Sequence, residues 1–173
     1  MVDASIVLIS LPVLTYYAGL AVNYYTKEEL AKWGKSIKLV LTYIPILILI
    51  ASSMIITVVN PVYALFASTI SILVFVLIPK QFLNKNDGWL SSALSGIIIG
   101  ISLNNYALII ALCAYYYFKA NYDFYSKDKK LFSKRLMENV LYLLTGAVIV
   151  LLGVPEFLPL GVFGLLILRL RLR

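Results

Sequence analysis

Long apolar runs, separated by short polar segments, extend along most of the chain. In the first half these runs cover residues 4–22, 39–59 and 62–78. The charged segment at residues 26–38 separates the first two runs, and the turn signal Asn60-Pro61 separates the second from the third. A membrane-spanning helix needs about 20 predominantly apolar residues, so each run predicts one such helix.

The apolar stretch in the middle of the chain is too long for one ordinary helix. It extends from Trp89 to Phe118 and is interrupted by Asn104-Asn105. Paired asparagines favour a turn, so this stretch predicts two helices, at residues 89–103 and 106–120.

Two further apolar runs follow, at residues 136–152 and 160–170. Between them, Gly153 to Pro159 contains two prolines and predicts a turn. The whole pattern therefore predicts an all-α, polytopic transmembrane helical bundle of about seven helices, in which the fifth and seventh are short.

Basic residues occupy only one side of this predicted bundle. All 15 Lys and Arg residues lie at residues 23–38, 79–88, 119–135 and 169–173, whereas the opposite side carries Asp3 and Glu156. Lys and Arg concentrate in the cytoplasmic segments of membrane proteins. We therefore expect a multi-pass protein of the cell membrane with its N-terminus outside and its C-terminus inside. A single helix over residues 89–118 would place one basic connection outside.

Composition supports a lipid environment. The chain is 62% hydrophobic with a mean hydropathy of +0.93, whereas soluble domains are about 45–50% apolar. The net charge of +7 then indicates contact with the bilayer and its anionic headgroups rather than with nucleic acid. There is no histidine and Cys113 is the single cysteine, so we predict neither a cofactor nor a metal site.

Residues that are 100 positions apart resemble one another in places. Residues 23–28, NYYTKE, align with residues 123–128, DFYSKD. This similarity predicts two parallel three-helix units, residues 1–79 and 101–173, joined by a linker helix at residues 89–103. The alternative is chance similarity between interfacial segments, which share aromatic and basic residues. The 3+1+3 topology is similar to that of SWEET-type sugar transporters, although Leu112 stands opposite Pro12 where those proteins have paired prolines.

The charged segment after the first helix carries the sequence TKEEL, followed by Gly34-Lys35. In this it resembles uncharacterised small archaeal membrane proteins, a resemblance that implies no activity. Thr26 and Glu29 have the spacing of a capping box. The segment at residues 26–38 therefore predicts a separate amphipathic helix on the membrane surface.

Small residues recur every four positions in the fourth predicted helix, at Ser92, Gly96 and Gly100. This spacing places them on one face and lets helix backbones approach closely. Serine hydroxyls along the same helix are the alternative, as the lining of a narrow polar path.

Tyrosines cluster near the predicted inner ends of the helices, as in the aromatic belts of membrane proteins. If an aromatic set lines a solute cavity, we expect it to consist of Tyr16, Tyr17, Tyr116 and Tyr117. A basic cytoplasmic face is predicted from Lys27, Lys35, Lys38, Lys127, Lys129, Lys130, Lys134 and Arg135.

No catalytic residues are predicted. Residues 84–87, Asn-Lys-Asn-Asp, stand where prepilin-type aspartyl peptidases have a GxGD motif, but both glycines are missing and Asn23 replaces the second aspartate. Ionisable side chains such as Glu138 are expected only at the helix ends, which argues against a proton relay within the membrane.

Three functions remain open. The first is an accessory, scaffold or assembly subunit that docks a membrane-protein partner, a second copy or lipid headgroups on its basic cytoplasmic face. The second is a facilitative transporter or channel for a small neutral solute. The third is a membrane-bound lipid-processing enzyme or degenerate relative of the prepilin-type peptidases, with chemistry near Asp87, Asp123 and Asp128.

Overall fold

A computed structural model describes residues 2–126, 129–153 and 155–172, and these residues form seven helices without a strand. The helices are α1 (Val2–Tyr25), α2 (Lys27–Val59), α3 (Pro61–Leu77), α4 (Lys80–Ile101), α5 (Tyr106–Ser126), α6 (Lys129–Leu152) and α7 (Phe157–Arg171). The all-α bundle is confirmed, and so is the turn at Asn104-Asn105, which separates α4 from α5.

The prediction of a separate surface helix at residues 26–38 is wrong. This segment continues into the second apolar run as one helix of 33 residues, about 50 Å long. The capping box does not form either, because Thr26 makes no side-chain capping bond to α2. Its Oγ1 instead donates a hydrogen bond to the Val22 carbonyl of α1 at 3.1 Å.

The predicted loop at residues 79–88 is also wrong, because α4 already begins at Lys80. Most residues in this segment are polar, yet only Pro79 and Gly88 strongly disfavour a helix interior, and Pro79 immediately precedes the first turn of the helix. The turn predicted at residues 153–159 is shorter than expected, since α7 begins at Phe157. Gly153 supplies the positive φ of 62° that ends α6.

Helix α4 lies inside the bundle and packs against α6 and α7. It therefore does more than link two units. The other close pairs are α1 with α5 and α3 with α7, while α2 contacts both α5 and α7. Each of the two predicted three-helix units thus packs extensively against the other, and the duplication stays a prediction.

Helix α3 shows how the outer surface is built. Its buried face consists of small residues and one aromatic ring: Ala64, Ala67, Ser71 and Phe75. Large apolar side chains cover the rest of the helix, and Leu65, Phe66 and Val76 are all about two-thirds exposed. Among the described residues, Ala4–Tyr25 and Ser133–Leu152 are long and apolar enough to cross a membrane. The apolar parts of α2 and α3 are shorter, at Tyr43–Val59 and Pro61–Leu77.

Close contact between α4 and α6 depends on glycine. A Cβ atom added to Gly96 would lie 2.5 Å from the Tyr142 carbonyl oxygen, and one added to Gly100 would lie 2.8 Å from the Gly146 carbonyl oxygen. Ser92, one turn before Gly96, is 1% exposed. The structure thus places the three small residues of α4 on the face that contacts α6.

Candidate functional site

Two acidic and two basic side chains meet between α5 and α6, at the same end of the bundle. Lys119 Nζ donates a hydrogen bond to Glu138 Oε2 at 3.1 Å, and Arg135 Nη1 donates to the same oxygen at 2.5 Å. Arg135 also holds Asp123 with two bonds, from Nε to Oδ2 at 2.7 Å and from Nη2 to Oδ1 at 2.9 Å. We call these four side chains the ion-pair network.

Helical spacing explains why these four side chains meet. Lys119 and Asp123 are four residues apart on α5, and Arg135 and Glu138 are three residues apart on α6. Both spacings place side chains on one helix face. Helix α1 reaches the same network, because Tyr16 donates its hydroxyl hydrogen to Asp123 Oδ2 at 3.1 Å.

The network is buried. Glu138 is 0% exposed, and Lys119 and Asp123 are each 8% exposed. Removing ions from water is costly unless they are paired and hydrogen-bonded, and here each charge has an opposite charge in direct contact. Glu138, which the sequence places near a helix end, is thus buried and paired rather than solvated. The expectation that charges are confined to the ends of the spans stays a prediction.

Gly88 of α4 makes room for the network. A Cβ atom at this position would lie 2.5 Å from the Glu138 carboxyl carbon. Gly88 also extends the stripe of small residues at Ser92, Gly96 and Gly100 by one turn. Glu138 Oε1, which faces Gly88, makes no hydrogen bond within the described part of the chain.

Several buried amides lie at the same level of the bundle. Asn23 follows Tyr16 by seven residues on α1, so both point to the same side of that helix. Asn121 and Asn139 are close in sequence to the network on α5 and α6, and all three amides are at most 3% exposed. Each has an amide atom without a hydrogen bond among the described residues. This layer is therefore the most polar part of the described interior.

The four tyrosines predicted as cavity lining have different surroundings. Tyr16 and Tyr116 are 2% and 1% exposed, and Tyr17 packs edge-on against Tyr16 at 5.5 Å. The Tyr116 ring lies 5.2 Å from that of Tyr142 and 5.4 Å from Lys119 Nζ. Tyr117 contacts the backbone at Gly19. Tyr16 and Tyr116 thus belong to the surroundings of the ion-pair network, and none of the four lines the cavities described below.

A second polar cluster surrounds Arg169 near the end of α7. Its Nη2 donates hydrogen bonds to Ser91 Oγ at 3.0 Å and to the Tyr115 hydroxyl. Its Nη1 lies 4.0 Å from Asp87 Oδ2. Arg169 therefore links α7 to α4 and α5. The sequence pattern does not single out Arg169 or Tyr115, because Arg169 looks like part of a solvated tail.

Two small cavities lie beside this cluster. The larger, of ≈ 40 Å³, lies between α2, α4, α5 and α7, and the smaller, of ≈ 20 Å³, lies between α2 and α5. They share the lining residues Pro45, Ile48, Ala111 and Tyr115. Ser52, Ser95 and Arg169 supply polar atoms to the larger cavity, whose other lining is mainly aliphatic.

The predicted basic face is described only in part. Lys134 is exposed, whereas Arg135 belongs to the buried network, with 16% of its side chain exposed. Arg135 therefore does not join an exposed face. The side chains of Lys27, Lys35, Lys38, Lys127, Lys129 and Lys130 lie outside the described residues.

The aspartates considered for catalysis lie in different clusters. Asp123 pairs with Arg135, and Asp87 lies beside Arg169. A two-aspartate mechanism requires two carboxyl groups that share one proton, whereas each of these faces a guanidinium. Asp128 lies outside the described residues. The geometry of Asp87 and Asp123 gives no support to a peptidase-like dyad.

Comparison with known protein families, with curated proteins and with solved structures finds no match for this chain. The resemblance of the TKEEL segment to small archaeal membrane proteins therefore stays a prediction.

Proposed function

We propose that this chain is a multi-pass membrane protein that serves as an accessory or assembly subunit, with its docking face on the cytoplasmic side. Support for membrane insertion comes from the surface, where α2 and α3 expose many large apolar side chains, including Leu47, Met54, Val58, Phe66 and Leu77. A continuous apolar surface of this kind is typical of contact with lipid or with a protein partner.

The predicted orientation places the polar clusters at the cytoplasmic end of the bundle. Lys119 and Asp123 lie towards the end of α5, Arg135 and Glu138 towards the start of α6, and Arg169 towards the end of α7. With the N-terminus outside, alternation of seven spans puts all of these helix ends inside. Buried and exposed charges then share one end of the bundle.

One observation carries the docking proposal: the two charged clusters inside the bundle contain equal numbers of opposite charges, although Arg169 and Asp87 are only partly buried. Lys119, Arg135 and Arg169 face Asp123, Glu138 and Asp87. The remaining twelve basic and five acidic residues therefore keep the whole net charge of +7. Two of those five acidic residues, Asp3 and Glu156, belong to the predicted outer side, so the inner surface is strongly positive. Such a surface attracts acidic protein segments and anionic headgroups.

The network joins α5 to α6 close in sequence to part of the basic surface. Asp123 and Arg135 of the network flank residues 124–134, which include Lys127, Lys129, Lys130 and Lys134. Tyr16 ties the same helices to α1.

The transport alternative receives little support from the helix packing. Helices α1 and α5 are in direct contact, since Gly19 faces Ala120 and Thr15 Oγ1 donates to the Cys113 carbonyl at 3.2 Å. Together, the two described cavities have room for only a few water molecules. A solute path would need a larger polar opening that reaches the middle of the membrane.

Neutralising the basic segment tests the docking proposal. We expect the fourfold replacement of Lys127, Lys129, Lys130 and Lys134 by Gln to abolish a larger complex that the wild-type chain forms in its native membrane. The fourfold replacement by Arg keeps the charge and should keep the complex. Native gels after extraction in mild detergent measure the size. A wild-type chain that migrates as a lone monomer, or a complex that the Gln variant retains, would contradict the proposal.

A further inference from the structure

The two cavities beside Arg169 are adjacent parts of one groove, formed by α2 and α5 and closed at its back by α4 and α7. We propose that this groove holds an acyl chain of an anionic lipid from the cytoplasmic leaflet, with the lipid phosphate at the Arg169 guanidinium. The proposal deepens the lipid contact of the proposed function and rests on it for the membrane location and the orientation.

The groove exists because two alanines of α5 lie opposite a proline of α2. On α5, Ala111 and Ala114 present only methyl groups. On α2, Pro45 lies inside the helix, where its ring displaces the preceding turn and removes one backbone hydrogen bond. Ile48, Leu112 and Leu165 line the resulting space, which therefore favours an apolar occupant.

The groove is long enough for part of an acyl chain. On α5 its lining extends from Leu108 to Phe118, which corresponds to about 15 Å along a helix axis. In the predicted orientation Phe118 lies towards the cytoplasmic end of α5, whereas Leu108 lies close to the outer turn at Asn104-Asn105. A chain that enters beside Phe118 therefore runs away from the cytoplasmic side along α5.

Charge complementarity identifies the lipid as anionic. Arg169 lines the larger cavity, and its Nη2 is held by Ser91 and Tyr115. Its Nη1 is 4.0 Å from Asp87 Oδ2, which is longer than a direct hydrogen bond. Arginine suits phosphate oxygens because its planar group donates several hydrogen bonds in fixed directions. The positive surplus of the same end of the bundle offsets the single Asp87 carboxylate.

The aliphatic lining of the groove argues against a polar occupant. A polar solute would leave its hydrogen-bonding groups against aliphatic side chains, which is unfavourable.

Native mass spectrometry of the full-length chain, purified in mild detergent, tests the proposal. The probes are phosphatidylglycerol and phosphatidylcholine with identical acyl chains. We expect wild-type protein to retain phosphatidylglycerol about tenfold more strongly, since charge-assisted hydrogen bonds are the stronger kind. Ala114→Phe should remove this bound lipid, because the ring fills the groove from an exposed position. Ala107→Phe, two turns away on the exposed surface of α5, is the matched control.

A second variant separates headgroup recognition from chain binding. Arg169→Gln should lower the retention of phosphatidylglycerol to the level of phosphatidylcholine. Equal retention of both lipids by wild-type protein, or lipid binding that survives Ala114→Phe, overturns the proposal. A dimer that Ala114→Phe dissociates would assign the groove to a second copy and would also overturn it. Failure here leaves the docking proposal standing, because that experiment changes only the four lysines at residues 127–134.

Discussion

At the scale of single residues, Glu138 has the most constrained surroundings. Its Oε2 accepts hydrogen bonds from Lys119 and Arg135, and its Oε1 faces Gly88 without a hydrogen bond from a described residue. A buried charge that loses its partner is far more destabilising than a buried pair that is removed together. The stability of this region should therefore depend on charge balance rather than on any one contact.

Replacing only one residue of the pair Lys119–Glu138 should destabilise the protein more than replacing both. We expect Glu138→Leu to lower the free energy of unfolding by about 3–5 kcal/mol, because it leaves the Lys119 charge without its partner. Lys119→Met should lower it less, because Glu138 keeps its contact with Arg135. The double variant is neutral, so its loss should be smaller than that of either single variant. Thermal denaturation of the purified chain in detergent measures the order, with the exposed Lys134→Gln as the control. Losses that simply add in the double variant would refute the charge-balance argument.

At the scale of helices, α4 decides how closely the bundle packs. Its small residues contact the backbone of α6 at Tyr142 and Gly146, whereas its opposite side contacts α7 at Gly161 and Gly164. Backbone atoms cannot move aside as the tip of a side chain can. The cost of added volume should therefore depend on what each glycine faces.

Two glycine variants test this dependence. Gly96→Ala brings a Cβ to 2.5 Å from the Tyr142 carbonyl oxygen, whereas Gly164→Ala meets the end of the Leu94 side chain at 3.1 Å. We expect Gly96→Ala to cost about 1–3 kcal/mol, as is usual for overpacking, and Gly164→Ala to cost clearly less. The melting temperatures of the two purified variants give the comparison. Equal shifts would mean that the α4–α6 contact is not the tighter one.

At the scale of the whole molecule, the helices place polar clusters at one end and apolar side chains around the outside. This arrangement supports an orientation in which Lys134 is inside and Glu156 is outside. Both side chains are exposed, so both can be examined with a reagent that does not cross membranes.

Single-cysteine labelling tests this orientation. In a Cys113→Ala background, we expect Glu156→Cys to react with a membrane-impermeant maleimide in sealed cells. Lys134→Cys should react only after the membrane is opened or inverted. The positive-inside rule is the physical reason. Reaction of both cysteines from the same side would rule out an odd number of spans between them and contradict the seven-span topology.

The sequence predicts those features of the fold that depend on residues close together in the chain. Apolar runs and the Asn104-Asn105 turn are local, and they place the helices well. The apolar pattern misses the starts of α2 and α4, because the largely polar residues 26–38 and 79–88 lie outside the apolar runs. Most of these residues are nevertheless good enough helix formers to continue a helix beyond the apolar run. That Ser92, Gly96 and Gly100 share one helix face follows from a helical period that the sequence displays directly, whereas the structure identifies α6 as the helix that Gly96 and Gly100 face.

By itself, the sequence determined the all-α class, the approximate helix positions and the confinement of the basic residues to four segments of the chain, since each depends on composition and spacing along the chain. Only the tertiary structure decided that Glu138, Asp123, Lys119 and Arg135 neutralise one another, and that Arg169 lines a cavity beside Tyr115. The physical reason is that a charge near a helix end is solvated or paired according to which helix packs beside it. That neighbour is set by contacts between distant parts of the chain.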